Sequence, residues 1–234
     1  MKLEKWLVIL IIVISLLTLP GCGGVETAAA TSQETTKIVL PEPKKDSDTS
    51  IEEALWGRRS TRNFSAETIT LEQVSQLIWA GQGITDPSGK RTAPSAGALY
   101  PLKLYVFIGN VTGAAAGVYV YDPATHSLTR IIDGDQRQAL TQAAMGQTSV
   151  KQGAIDIVIT ANYSITTKVY GERGIRFVHL EAGHAAQNIC LQAVGLKLAT
   201  VTVGAFDDAS VQHVLGLPDA EVPLYIIPAG NFAD

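Results

Sequence analysis

The chain is poor in cysteine and in charge, and both shortages narrow what it can do. Of its 234 residues, two are cysteine and 17% are charged, with 18 lysines and arginines against 22 acidic residues. General nucleic-acid binding needs many basic side chains along one face to release counterions, so the net charge of −4 argues against it. Cys22 and Cys190 are the only cysteines, and if Cys22 carries lipid, Cys190 has no partner and no disulfide framework is expected.

An apolar run long enough to span a bilayer is also missing. The N-terminal run that ends at Leu19 follows two lysines and is shorter than the roughly 20 residues that a spanning helix needs. Residues 1–22 therefore predict an export signal. The tetrapeptide LPGC, which ends at Cys22, resembles a bacterial lipobox, whose cysteine becomes the lipidated first residue of the mature protein. An uncleaved N-terminal anchor is the alternative, and either form tethers the chain to the outer side of a membrane.

Two further segments follow the signal. Residues 23–49 are rich in Thr, Ala, Ser, Glu, Lys and Pro without strand or helix periodicity, so they predict a flexible linker. Within it, "IVLP" (38–41) is the stretch expected to dock on the domain as a strand. Residues 50–234 are predicted to form one domain. In that domain Cys190, which lacks a partner if Cys22 is lipidated, is expected to be a buried apolar side chain.

The domain mixes helices and strands without strict alternation, which favours an α+β sandwich on a central, mostly antiparallel sheet. Ser50 with Glu53, and Thr70 with Gln73, form capping boxes that begin two helices. A turn at Asp122-Pro123 between two apolar segments predicts a hairpin. The expected strands are 102–109, 118–121, 128–131, 154–163, 198–204 and 223–230, and the expected helices are 50–57, 70–80, 134–145, 174–194 and 208–215.

Four stretches, in this order, carry a resemblance to a known family. They are "RRSTRNF" (58–64), "APSAGALYPL" (93–102), "YGERGIRFVHLEAGHAAQNICLQAVGL" (170–196) and "VGAFDD" (203–208). Together they resemble the nitroreductase family of flavin mononucleotide (FMN) enzymes, and specifically its SagB-type dehydrogenase branch. The resemblance covers nearly all of residues 50–230. It implies a homodimeric, FMN-dependent oxidoreductase with a three-layer α+β sandwich.

The first stretch has the chemistry of a phosphate site. Guanidinium groups offer planar pairs of donors that match phosphate oxygens, and a serine adds a hydroxyl. A solvated helix end is the alternative, because arginines favour the C-terminal end of the helix dipole. The resemblance implies that Arg58, Arg59, Ser60 and Arg62 bind the phosphate and ribityl groups of the flavin. Many nitroreductases add a basic residue at their C-terminus, which this chain, ending in "AGNFAD", lacks.

The second stretch places small residues and a glycine between two prolines. Such a backbone can approach a flat ring closely because no large side chain intervenes, although an ordinary Pro/Gly loop has the same composition. The resemblance implies that Pro94, Ser95 and Ala96 reach the flavin from the partner subunit, so that the site lies at a dimer interface.

The fourth stretch follows a strand, and its glycine again permits close approach of the backbone. The resemblance implies that Gly204 and Ala205 lie over the isoalloxazine ring and offer a backbone N–H to N5, the atom that gains and loses the hydride. A turn in which Asp207 or Asp208 caps the next helix is an alternative that is compatible with this role.

The long helix carries two stripes of side chains. Apolar residues recur every three or four positions and predict a core face. Glu181, His184 and Asn188 fall on a second, polar stripe, and they are interpreted as hydrogen-bonded groups at a dimer interface or behind the site. No two histidines are three or four residues apart and no HExxH motif occurs, so no metal site is predicted.

Tyr170 is the candidate acid or base near the substrate, with a purely structural role for its ring as the alternative. Azoline-oxidising members of the SagB-type branch carry an adjacent Lys-Tyr pair before the glycine that precedes the long helix. Here Val169 separates Lys168 from Tyr170. In an extended segment a shift of one residue turns a side chain to the other face, so this departure weakens the azoline assignment.

The predicted function is hydride transfer through bound FMN in two half-reactions. Two alternatives remain: an azoline dehydrogenase acting on a modified peptide, and a flavin-binding module without turnover. The sequence specifies neither the substrate, nor the electron partner, nor the direction of the reaction. Because an exported enzyme meets little NAD(P)H, another electron donor or acceptor is expected.

Overall fold

The computed structural model describes residues 36–233. Its strands are β1 (Lys37–Val39), β2 (Ile69–Thr70), β3 (Leu102–Ile108), β4 (Val111–Thr112), β5 (Gly117–Asp122), β6 (Ser127–Asp133), β7 (Ile155–Asn162), β8 (Ala199–Thr200) and β9 (Glu221–Gly230). Seven of them form one sheet in the order β1-β6-β5-β3-β7-β9-β8, in which every strand pair is antiparallel. Strands β2 and β4 form a separate parallel pair. The central antiparallel sheet predicted from the sequence is confirmed.

Helices cover both faces of this sheet. They are α1 (Ile51–Gly57), α2 (Leu71–Gln82), α3 (Arg137–Ala143), α4 (Thr148–Gln152), α5 (Tyr163–Tyr170), α6 (Arg173–Gly195) and α7 (Asp208–Leu215). Helices α2 and α6 bury their apolar residues against one face. Helices α3, α4 and α7 do so against the other. The fold is a three-layer α+β sandwich in one domain, as predicted.

Strand β7 shows how the sheet serves both layers. Ile155, Ile157 and Ile159 are fully buried on the side of α2 and α6, whereas Val158 packs on the side of α3 and α7. Alternate side chains of a strand point to opposite faces, so a strand covered on both faces reads as a nearly continuous apolar run. Burial of each isoleucine side chain stabilises the folded state by roughly 1.5–3 kcal/mol relative to leaving it exposed. Asp156 interrupts this run, and its carboxyl group is fully buried as well.

The predicted helix starts are confirmed by their hydrogen bonds. The Ser50 hydroxyl accepts from the Glu53 N–H at 3.1 Å, and the Glu53 carboxylate accepts from the Ser50 N–H at 2.8 Å. Thr70 and Gln73 form the same reciprocal pair at the start of α2. Each box satisfies backbone donors that a helix start leaves without partners. The long helix α6 extends one residue beyond its predicted bounds at each end.

Two segments differ from their predictions. Residues 163–170 form helix α5, although Ile165, Thr166 and Val169 are β-branched and favour a strand. The Asn162 side chain accepts the Ser164 N–H at 3.0 Å and begins the helix, which packs on α6. The strand expected at 198–204 is reduced to β8 and one later bridge between Val203 and Ile226. In both places tertiary packing outweighs local preference.

The end of the predicted linker lies against the domain. Strand β1 pairs with β6, so "IVLP" docks as expected. Leu40 is 4% exposed, and the Pro41 carbonyl accepts from the Ser75 hydroxyl at 2.6 Å. The predicted export signal, with Cys22, falls outside residues 36–233. Within those residues no helix is both long and apolar enough to cross a membrane.

The crossing of α5 and α6 depends on one glycine. A Cβ atom on Gly174 would lie 2.9 Å from backbone atoms of Thr166 and Thr167, which cannot move without displacing α5. We expect Gly174→Ala to lower the free energy of unfolding by about 1–3 kcal/mol, the usual cost of overpacking. Urea denaturation of the two proteins, followed by circular dichroism, measures this difference.

Gly183 provides the matched control within the same helix. A Cβ there would meet no atom within 4 Å, and its φ is helical. Gly183→Ala should therefore stabilise the protein by up to about 1 kcal/mol, because alanine has the higher helix propensity. Equal effects of the two substitutions would contradict a close α5–α6 crossing at Gly174.

Candidate functional site

The arginine-rich segment leaves α1 and runs beside the outermost strand of the sheet. The Arg58 N–H donates to the Ala54 carbonyl at 3.0 Å and ends the helix, close to the predicted end at Gly57. Ser60 then forms a bridge with Thr200 of β8, and the Thr61 N–H donates to the Thr200 carbonyl at 2.9 Å. This pairing fixes the path of the backbone, so the Cα positions of Arg59 and Arg62, on either side of Ser60, are fixed relative to the sheet.

The three arginines of this segment have different surroundings. Arg59 Nη1 donates to the Trp56 and Arg58 carbonyls, at 2.8 Å each, and so closes the C-terminal end of α1. Arg58 is half-buried close to Cys190, and its positive charge lowers the pKa of the Cys190 thiol. Arg62 is exposed. None of the ion pairs among residues 36–233 involves these arginines. Two guanidinium groups, those of Arg58 and Arg62, are therefore available to an anion.

Cys190 itself is 5% exposed, so its predicted burial is confirmed. Burial raises the pKa of its thiol, an effect that the Thr200 hydrogen bond and the Arg58 charge partly offset. The thiol is thus held in its neutral form beside the arginine segment.

Gly204 and Ala205 lie along the same sheet edge. They follow the bridge in which Val203 and Ile226 exchange backbone hydrogen bonds at 2.8 and 3.0 Å. Both residues are exposed, and the Ala205 carbonyl accepts from Gln147 Nε2 at 2.7 Å. Across residues 36–233, no hydrogen bond uses the backbone N–H of either residue. Asp207 then caps α7, because its carboxylate accepts the Ser210 N–H at 2.8 Å. The helix cap predicted for this turn is therefore formed by Asp207.

The loop at 93–101 packs on a different part of α6. Ser95 Oγ donates to Glu181 Oε2 at 2.6 Å and accepts the Tyr100 N–H at 2.9 Å. Glu181 and Cys190 are nine positions apart in α6, which corresponds to about 13 Å along the helix axis. Within one subunit, the structure therefore does not bring Ser95 against the arginine segment.

Tyr170 lies beside this loop, at the end of α5. Its hydroxyl is 2.8 Å from the position that a Cβ on Gly97 would occupy, and its ring meets Phe177 edge-on at 5.2 Å. The side chain is 39% exposed, so a ligand can reach it. Lys168 and Tyr170 lie in helix α5, so the extended segment expected from the sequence is wrong. In helix α5 two positions differ by about 200° around the axis, so the two side chains point in nearly opposite directions.

The sequence interpretation of Glu181 was wrong in one respect. Its Oε2 is hydrogen-bonded, but Oε1 has no partner among the described residues although the side chain is 3% exposed. Burial raises the pKa of Glu181 to about 7, against the lowering effects of the Ser95 hydrogen bond and the Arg91 charge. The sequence does indicate this burial, because Val178, Glu181 and Ala185 are spaced as the core-facing residues of the helix are.

Arg91 is a second residue that the sequence interpretation missed. Its guanidinium lies over the Tyr100 ring at 4.5 Å, and Nη1 donates to Gln82 Oε1 at 2.6 Å. It helps to hold the 93–101 loop against α2. Nothing in its sequence context marks it, because a single arginine in a loop is usually solvated.

These residues fit a flavin mononucleotide by the chemistry of their donors. Two guanidinium groups that form no ion pair within residues 36–233 suit a terminal phosphate. The N–H groups of Gly204 and Ala205, to which no described residue bonds, suit an acceptor nitrogen of the ring. Gly204 leaves room for a ring, since a Cβ there would meet only Tyr225, at 3.8 Å. In the described part of the chain no three His, Cys, Asp or Glu side chains gather as a metal site would require.

Comparison with known proteins gives relatives over most of the chain. A candidate nitroreductase of Methanocaldococcus jannaschii is 42% identical over 198 residues, which are 85% of this chain and 98% of that protein. The crystal structure of a candidate nitroreductase from Ralstonia eutropha superposes with a TM-score of 0.76 at 29% identity, covering 95% of this chain and 97% of the other.

Two further structures share the fold at lower identity. The E. coli microcin synthetase McbBCD complex with truncated pro-MccB17 bound has a TM-score of 0.66 at 21% identity, over 94% of this chain and 85% of that one. A candidate nitroreductase from Desulfovibrio desulfuricans in complex with FMN has a TM-score of 0.59 at 22% identity, over 80% and 88%. The family model described as "Nitroreductase family" matches residues 55–231, and this chain belongs to the nitroreductase family.

Proposed function

We propose that the protein is an FMN-dependent oxidoreductase of the SagB type that transfers hydride between two substrates in separate half-reactions. The observation that carries this proposal is the sheet edge at β8. There Ser60 of the arginine segment pairs with Thr200, and the guanidinium groups of Arg58 and Arg62 form no ion pair among residues 36–233. The backbone N–H groups of Gly204 and Ala205, which no described residue uses, follow Thr200 by four and five residues along the same edge. Family membership supports an oxidoreductase, and an FMN-bound neighbour of the same fold supports this cofactor.

The residues of this edge would act as binding and orienting groups. Arg58 and Arg62 would hold the phosphate, with the Ser60 hydroxyl as a further donor. Arg59, which closes α1 through backbone carbonyls, would keep its neighbours in place. The N–H groups of Gly204 and Ala205 would donate to the ring. A bound flavin supplies the hydride chemistry itself.

The proposal includes a homodimer in which Pro94, Ser95 and Ala96 serve the partner's site. Ser95 contacts Glu181 and Arg58 lies near Cys190, and these two residues of α6 are about 13 Å apart along the helix, which leaves the loop free to act on another subunit. Exposed apolar side chains on α1, with Trp56 82% exposed, give a surface that a second copy can cover. Tyr170, beside the loop, is proposed as the acid or base nearest the substrate.

We further propose that residues 1–22 export the protein and that Cys22, once lipidated, anchors it at the outer face of the membrane. The part of the linker that precedes β1 would let the domain stand away from the bilayer. At that location NAD(P)H is scarce, so the electron partner is expected to be another reduced or oxidised molecule.

The visible spectrum of the purified full-length protein tests the central claim. Bound FMN gives absorption bands that free protein lacks, and they should be present on purification or after reconstitution. A protein that stays colourless after reconstitution would overturn the proposal. If flavin is bound, anaerobic mixing with NADH or NADPH separates the alternatives: bleaching supports a reductase, and no bleaching supports either another donor or a module without turnover.

A second candidate function is oxidation of an azoline ring in a modified peptide. The observation that favours it is the similarity in fold to a microcin synthetase complex that holds a peptide. Lys168 and Tyr170 would have to act from opposite sides of α5, which an adjacent pair would not do. Anaerobic addition of a thiazoline-containing peptide should bleach the flavin if this candidate is right. A small nitroaromatic should reoxidise pre-reduced flavin if the reductase is right.

A further inference from the structure

The loop at 93–101 has a backbone conformation that its own sequence does not favour. Gly97, Ala98 and Tyr100 have φ angles of 61°, 53° and 50°. Residues that carry a Cβ are strained in this left-handed region, and such strain persists only where surrounding contacts impose it.

A short chain of hydrogen bonds closes this turn. The Tyr100 N–H donates to Ser95 Oγ at 2.9 Å, and the Ser95 O–H donates to Glu181 Oε2 at 2.6 Å. The first bond joins the two ends of the turn, and the second ties them to α6. The serine hydroxyl can donate only one hydrogen, so its direction is set by the carboxyl group.

We propose that Glu181 is a positioning residue: its carboxylate, acting through the Ser95 hydroxyl, fixes the shape of the loop that meets the flavin. The flavin contact rests on the proposed function. The hydrogen-bond chain that links Glu181 to the turn is present whether or not a flavin binds.

The charge state of Glu181 controls how firmly the turn is held. A hydrogen bond to an ionised acceptor is roughly twice as strong as one to a neutral acceptor, and it polarises the next bond in the chain. Arg91, packed on Tyr100, is the charged group whose field acts on Glu181, and His184 on the next turn of α6 is exposed. With its pKa raised to about 7 by burial, Glu181 changes charge within the ordinary working range.

Amide hydrogen exchange at Tyr100, measured by NMR on the flavin-free protein, tests the chain directly. The protection factor should rise about fivefold between pH 6 and pH 8.5 in the wild type as Glu181 ionises. In Glu181→Gln, which keeps an acceptor but no charge, it should not change with pH. Ser95→Ala should lower it about tenfold or more at both pH values. Glu172→Gln, which removes a charge just before the same helix, serves as the control and should behave as the wild type.

Flavin titration of the same variants tests the consequence for binding. The phosphate of FMN itself gains charge above about pH 6, so the comparison is the ratio of wild-type affinity to that of Glu181→Gln. This ratio should be about fivefold higher at pH 8.5 than at pH 6. Identical protection and affinity in the wild type and Glu181→Gln across this range would overturn the proposal. If protection responds to pH but the ratio of wild-type to Glu181→Gln affinity does not, the link from loop to flavin is wrong. If no variant binds FMN, the proposed function fails while the exchange data still decide the role of Glu181.

Discussion

Replacing Arg58 and Arg62 together by alanine should weaken FMN binding at least about 100-fold. Hydrogen bonds to charged groups contribute about 1.5–3 kcal/mol each, and 1.4 kcal/mol corresponds to a factor of ten. Neither guanidinium has an ion pair among the described residues, so neither is held back by an internal partner. Each single substitution should cost roughly tenfold. Quenching of flavin fluorescence on titration into the flavin-free protein gives the dissociation constants.

Two other arginines provide the controls for this experiment. Arg59→Ala should act mainly on stability, because Arg59 Nη1 is bonded to two backbone carbonyls at the end of α1. Arg130 lies on β6, far across the sheet from β8, and pairs with Asp133 at 2.8 Å. Arg130→Ala should leave FMN affinity unchanged. If the double Arg58/Arg62 variant binds FMN as tightly as Arg130→Ala does, these arginines do not bind the phosphate. The segment would then be a solvated helix end, which is the alternative that its sequence permits.

The elements that were predicted correctly carry their signals locally. The capping boxes at Ser50 and Thr70 set helix starts through side chains three residues apart, and the apolar spacing of α6 persists over many turns. Strand β7 is apolar throughout because it is covered on both faces. Such signals need no knowledge of distant residues.

The misread elements depend on distant contacts. Residues 163–170 have the β-branched content of a strand, yet Gly174 lets α6 approach closely enough for a helix to dock there. Glu181 stands at a core spacing, but only the fold shows that Ser95, 86 positions away, is its partner. The four motifs predicted which loops form the candidate site. Their separation along α6 within one subunit required coordinates, because spacing in sequence does not give distances across a fold.

Asp156 gives a large expected effect on stability, and the effect depends on pH. The carboxyl is 0% exposed, and neither oxygen has a hydrogen-bond partner among the described residues. Arg137, whose charge acts on Asp156, forms no ion pair with it: its Nε and Nη2 donate to Asp135, and its Nη1 donates to the Gly153 carbonyl. Burial therefore raises the pKa of Asp156 well above its ordinary value, an effect that the Arg137 charge only partly offsets.

A raised native pKa means that the native state keeps a proton which the unfolded chain releases. Stability is then full below the ordinary aspartate pKa of about 3.9 and falls as pH rises, by about 1.4 kcal/mol per pH unit, until the native carboxyl ionises. Asp156→Asn has no such proton. The free energy of unfolding of Asp156→Asn minus that of the wild type should therefore increase by about 1–3 kcal/mol between pH 5 and pH 7. Urea denaturation of the flavin-free proteins at several pH values measures this difference.

The comparison with Asp156→Asn isolates this one group from the other buried acids. Glu181 has a raised pKa and also destabilises the native state as pH rises, but it is present in both proteins and lies on the opposite face of the sheet, so its contribution cancels. Asp219, which is exposed, provides the control, and Asp219→Asn should follow the wild type at every pH. A constant difference between Asp156→Asn and the wild type would show that Asp156 is ionised in the native state. The ionised carboxyl would then have to gain a hydrogen-bond or ion-pair partner, because an unpaired carboxylate at that depth costs several kcal/mol.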